Sequence, residues 1–119
     1  MAPRRGEVYF ACLDPVFGHE MGGFEARPVV VVSINDINSK TTLVTVVPGT
    51  TTVPKRVFMN VVEVRLSLRG DPKSTYLQCH QIRSIEQARL LTREPVARLS
   101  PEDLKKVERA VNYCLTLPS

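Results

Sequence analysis

Four consecutive valines constrain this chain more than any other feature: they lie in Arg27-Pro-Val-Val-Val-Val-Ser33. β-branched side chains are stiff at χ1 and suit a pleated surface, so the run predicts a strand. The lack of alternation makes it a central strand, buried on both faces. Pro28 lacks an N–H and fits only at its beginning. A second run, Thr41–Val47, closes at Pro48-Gly49. Further strands are expected at Val8–Leu13, Val57–Val64 and Leu77–Ile82, with Gly70-Asp71-Pro72 as the turn between the last two. Asn35-Asp36 and Asn38-Ser39 mark another turn.

Helical signals concentrate at the end of the chain. Ser100 is a good N-cap, Pro101 suits the first helical position, and Glu102 and Asp103 favour the helix dipole. Leu104, Val107, Val111, Cys114 and Leu115 recur at helical spacing, and Pro118 ends the run. A short helical turn is expected near Ser84–Leu90. Strands first and one strong helix last predict a mainly β (α+β) chain. The expected form is a small, strongly curved sheet or barrel with one packed helix. At 119 residues it is expected to be a single domain, 1–119.

The N-terminus lacks the apolar stretch of a signal peptide, and no apolar run is long enough for a membrane span. A cytoplasmic protein with no membrane association is expected. Cys12, Cys79 and Cys114 are odd in number and widely spaced, and each lies in an apolar stretch. They read as buried small hydrophobes, not as a disulfide scaffold or a zinc site. The net charge of +4 leans towards polyanionic partners, and eleven of the sixteen cations are arginine. Arginine forks match phosphate bidentately.

Known nucleotide-binding and hydrolase signatures are missing, including the P-loop, G-x-G-x-x-G and G-x-S-x-G. His19 and His80 are far apart, and no carboxylate cluster resembles a metal site. No metal and no cofactor are expected. Asp14–Ala26, with Pro15, Gly18, Gly22 and Gly23, has no regular period, and connections of that length are often functional. His19 within it is a candidate proton carrier. Arg27 ends that segment and opens the buried strand. Thr50, Thr51 and Thr52 leave the next buried run through Pro48-Gly49. A cation and hydroxyls at the ends of neighbouring strands can hold a phosphodiester. A structural ion pair and a solvated Thr-rich turn would explain the same residues.

Several segments in order carry a family resemblance: Arg5-Gly-Glu-Val-Tyr-Phe10, Gly18-His-Glu-Met-Gly-Gly23, Arg27-Pro-Val-Val-Val-Val-Ser33, Val47-Pro-Gly-Thr-Thr51, Gln81-Ile-Arg-Ser-Ile-Glu86, Arg89-Leu90 and the Leu99-Ser-Pro-Glu helix start. The series resembles the MazF/PemK toxins across essentially the whole chain. The resemblance implies a small SH3-like or CcdB-like barrel of short antiparallel strands with a C-terminal helix. It implies a homodimer and an acidic, MazE-like antitoxin partner. It implies a sequence-preferring endoribonuclease that cuts single-stranded RNA without metal, by attack of the ribose 2′-hydroxyl on its own phosphate.

By that resemblance Arg27 and Thr50 are catalytic. Glu20, His19, Thr51, Thr75 and Gln81 are expected to bind substrate. Glu20, His19 and Arg27 are all candidates for taking the 2′ proton. The chain departs from the family pattern in two places. Phe24, Glu25 and Ala26 lengthen the segment before Arg27, and Thr75 stands where relatives carry serine. Two rival readings are a same-fold toxin that binds a protein such as gyrase, and a barrel that binds RNA without cutting it. The second would call for a row of exposed aromatics, and aromatics make up 6% of this chain with no tryptophan.

Overall fold

A computed structural model of the chain describes residues 2–13, 26–56, 58–68 and 70–116. The first strand is β1 (Glu7–Ala11), followed by β2 (Arg27–Val31), the short helix α1 (Asn35–Lys40) and β3 (Leu43–Thr50). β4 (Val61–Leu68) and β5 (Asp71–Gln78) form a long hairpin, and β6 (Arg83–Glu86) and β7 (Ala97–Arg98) are short. The chain closes on helix α2 (Pro101–Thr116). Seven antiparallel strands run in the order β4-β5-β3-β2-β1-β7, with β6 also paired to β3. They form a nearly closed barrel carrying the C-terminal helix.

The valine run is central and buried, as its composition requires: Val29, Val30 and Val31 expose no surface. Its alternate residues enter two different cores. Val30 joins Val8, Val47, Leu77 and α2's Val107 on one side. Val29 and Val31 join Tyr9, Val44, Val46 and Ile85 on the other.

β3 runs on through Pro48-Gly49 instead of closing there. On one flank it pairs with β2, Val29 opposite Pro48. On its other flank it pairs with β6 as far as Val46, then with β5 from Gly49. The Thr45 carbonyl accepts from Val32 of the β2 side. Backbone groups alternate direction along a strand, so residue 48 faces away from β2. Pro48 therefore falls where β3 changes partner, and its missing N–H breaks no ladder bond.

Other boundaries moved for physical reasons. β4 begins at Val61, not 57, because the period-two alternation starts there: Val62, Val64, Leu66 and Leu68 are buried while Glu63, Arg65 and Ser67 are exposed. Phe58 and Met59 stay exposed. β5 takes in Asp71 and Pro72, because the turn at Gly70 is tight, with φ +86°. Cys79–Gln81 is a 3₁₀ turn, not the end of a strand. Residues 84–90 split into β6 and a 3₁₀ turn at Gln87–Arg89. The Asn35 turn closes into α1, whose Asn38 is buried and donates to Pro3 and Ser33 carbonyls.

In α2, Ser100 Oγ accepts from the Asp103 N–H, the expected cap. Val107 and Ala110 are buried, with Leu104, Val111 and Cys114 packed against the same core. Leu115 faces solvent instead, one position beyond the apolar stripe. The Arg5 guanidinium donates to the Val32 carbonyl and pairs with Glu108 of α2, tying helix to sheet. Glu7 is buried and satisfied by the Tyr9 hydroxyl, the Arg4 N–H and Arg98. Among the described residues, no helix is long and apolar enough to cross a membrane.

All three cysteines are free; only Cys79 is fully buried, while Cys12 and Cys114 are half-buried. Burial, reinforced by the nearby Cys114, pushes the Cys79 thiol up from 9.0 to about 12. Burial and the Glu7 carboxylate raise the Tyr9 phenol too. The folded state keeps these protons after the unfolded chain has lost them, so alkali favours unfolding. Above the unfolded thiol's pKa the Cys79 contribution falls by ~1.4 kcal/mol per pH unit. Denaturant titrations at successive pH values from 9 to 11 should therefore show falling stability, and Cys79→Val should flatten the slope.

Candidate active site

The β2–β3 pairing places Val30 opposite Val47 and Val29 opposite Pro48. Two residues beyond Val29 and Pro48 stand Arg27 and Thr50, which line the same two grooves. Ala11 is the partner of Arg27 and Tyr76 the partner of Thr50. The ends of β2 and β3 thus bring to one place a cation and a hydroxyl that lie 23 residues apart in sequence.

Arg27 and Thr50 are both half-buried, and they form a wall common to two grooves. The first groove, about 380 Å³, is completed by Phe10, Pro28, Thr51, Leu68, Asp71 and Lys73 among others. The second, about 400 Å³, is completed by Thr52, Val53, Pro54, Gln78 and Gln81. A chain crossing from one groove to the other passes over the Arg27–Thr50 pair.

The Thr50 hydroxyl is oriented by its own turn. Its oxygen accepts from the Thr52 N–H at 3.1 Å. That bond engages a lone pair and leaves the hydroxyl proton to be donated outward. Gly49 makes this placement possible. A Cβ there would meet Leu77 Cδ2 at 3.0 Å and Thr75 Cγ2 at 3.1 Å. β3 and β5 approach closely because position 49 has no side chain.

Two arginines hold the chain just past β1. Arg83 donates to the Leu13 carbonyl and Arg89 to the Cys12 carbonyl. Both arginines belong to the later sequence segments, and both hold the end of β1.

Of the expected site residues, Arg27, Thr50, Thr51 and Gln81 converge on the two grooves. His19 and Glu20 lie outside the described residues. Thr75 exposes no surface, and its methyl lies against Gly49 beneath the grooves. Its hydroxyl is buried with no hydrogen-bond partner among the described residues. Asp71, Lys73 and Gln78 also line these grooves, carried there by the β4–β5 hairpin.

The chain matches the family described as PemK-like, MazF-like toxin of type II toxin–antitoxin system over residues 4–115. It is 34% identical over 118 residues to Endoribonuclease EndoA of Bacillus subtilis (strain 168), covering 98% of this chain and 97% of that protein. An endoribonuclease in complex with its cognate antitoxin, from Mycobacterial species, superposes with TM-score 0.75 at 27% identity and covers 99% of both chains. MazF from Deinococcus radiodurans has a similar fold, with TM-score 0.78 at 24% identity over 98% of this chain and 99% of that one.

Gly49→Ala should cost about 1–3 kcal/mol of stability by overpacking, read as a lower melting temperature. Thr75→Val should hold or raise the melting temperature, since it replaces an unpaired buried hydroxyl by a methyl.

Proposed function

The chain belongs to the PemK-like, MazF-like toxin family of type II toxin–antitoxin systems, and we propose that it is the endoribonuclease of such a pair, cutting single-stranded RNA at preferred sequences. One observation carries the reading: Arg27 and Thr50, at the ends of neighbouring strands, form the shared wall of two grooves. A scissile phosphate over that wall has a nucleotide on either side, one for each groove.

The reaction is transesterification. The ribose 2′-hydroxyl gives up its proton as its oxygen attacks the adjacent phosphorus, the P–O5′ bond breaks, and the departing O5′ takes up a proton, leaving a 2′,3′-cyclic phosphate and a 5′-hydroxyl. The guanidinium of Arg27 neutralises the charge that builds on the phosphorane oxygens, and its planar fork can meet two of them. The Thr50 hydroxyl, held by the Thr52 N–H, donates a hydrogen bond to a non-bridging oxygen. Lys73, in the first groove, supplies a second positive charge for a neighbouring phosphate. The nucleophile belongs to the substrate, so the step requires no metal-activated water.

A same-fold toxin that only grips a protein would leave the Arg27–Thr50 pairing without a purpose; phosphate chemistry uses both groups. The partner implied by a type II pair is a protein antitoxin, and an acidic, MazE-like tail suits a +4 chain. A cytoplasmic homodimer is the assembly we propose, since mRNA and a newly made antitoxin both meet it there.

Arg27→Ala and Thr50→Ala should each lower cleavage of a long single-stranded RNA by about 10²–10³-fold, with circular dichroism unchanged. Arg27→Lys should fail as well, because a point charge does not replace the fork. Parent-like cleavage by any of these variants would remove that residue from the mechanism. Cleavage should persist in EDTA, and one deoxyribose 5′ of the scissile phosphate should stop it with binding retained. Loss of activity in EDTA, or normal cutting of the deoxy substrate, would replace transesterification by metal-dependent hydrolysis.

A further inference from the structure

A row of opposed residues extends beyond Thr50. Tyr76 of β5 is directly opposite Thr50, and Glu63 of β4 is directly opposite Tyr76. Opposed residues share a face, so Thr50, Tyr76 and Glu63 form one line across three strands, and Arg27 stands at its head, lining the same grooves as Thr50. Tyr76 is half-buried and Glu63 exposed. Gln78, two residues beyond Tyr76 and so on the same face, lines the second groove with Arg27, Thr50 and Gln81.

The order of chemistry along this line is cation, hydroxyl, aromatic ring, carboxylate. It matches the order of groups in a nucleotide read outward from its phosphate. A phosphate belongs at Arg27 and Thr50, and a base has a π-face for the tyrosine ring. The carboxylate repels phosphate but accepts hydrogen bonds from an exocyclic amine. We propose that Tyr76 and Glu63 form a base subsite, in which Tyr76 stacks a base flanking the scissile phosphate and Glu63 accepts from its amino group. The subsite favours cytosine or adenine over uracil, which has no amine to donate. It rests on the endoribonuclease reading and adds to it the source of base preference. Unstacked bases read by an aromatic face and a polar edge are the usual mode for single-stranded RNA.

A cycle of protein and RNA changes tests it, with parent protein and short RNAs bearing an abasic nucleotide at each position around the cut. In the parent, one flanking abasic position should lower kcat/KM by about ten-fold, the scale of one base–aromatic stack. Tyr76→Ala should be about ten-fold weaker on intact RNA and lose nothing more at that abasic position. Tyr76→Phe should stay near the parent, since it keeps the ring. Glu63→Gln should erase the preference for cytosine over uracil at the same position.

If Tyr76→Ala responds to every abasic position as the parent does, the subsite is wrong although the enzyme still cuts RNA. If Tyr76→Phe fails as badly as Tyr76→Ala, the ring is not the contact and the stacking is likewise refuted. If the parent cuts no RNA, the endoribonuclease reading itself fails and the subsite falls with it. Arg27→Ala run alongside marks the difference, because it removes cleavage of every substrate without changing base preference in binding.

Discussion

β3's exchange of partners at Pro48 is the constraint on which the site depends. One flank of the strand pairs with β2 from Val46 to Pro48. The other leaves β6 after Val46 and takes up β5 at Gly49. A strand that keeps one neighbour while changing the other lets the sheet fold back on itself. Pro48 tolerates the gap because its nitrogen has no proton to satisfy. Gly49 then lets β5 approach, with Leu77 and Thr75 packed where a Cβ would be. The result sets Thr50 between Arg27 and Tyr76, so an apparent strand terminator serves as the joint that builds the reactive row.

The arginines divide by what surrounds them. Arg5 ties β2 to α2 through a carbonyl and Glu108. Arg98 completes the shell around the buried Glu7. Arg83 and Arg89 hold the Cys12 and Leu13 carbonyls at the end of β1. These four spend donors on the fold, chiefly on backbone oxygens that pairing leaves unused. Arg27 is distinct in facing two grooves beside a hydroxyl. The mild positive charge of the whole chain says little about function; the placement of one guanidinium says much more.

Family resemblance and local pattern carried different parts of the reading. The motifs pointed to Arg27 and Thr50 without giving a distance, and strand register supplies the proximity. They also pointed to Thr75, whose side chain is buried against Gly49. Motif spacing registers which residue lies in a strand and does not register how tightly the neighbouring strand covers it. Lys73 and Gln78 show the converse. Neither has a local signal, because each owes its position to the β4–β5 hairpin and not to its immediate neighbours.

Sequence alone determined what side-chain periodicity and stiffness can dictate. The valine run had to be a buried central strand, since β-branched residues without alternation have no solvent face. The Ser100-Pro101 start and the apolar stripe of α2 had to make a helix packed on one side, and the structure places it so. Local pattern misjudged β4 and β5, where a tight turn at Gly70 and hairpin pairing outweighed the apolar run at 57–62. Tertiary structure decided which ends of which strands meet. Antiparallel register fixes that through hydrogen bonds between segments far apart in the chain, a partner choice that no window of local sequence contains.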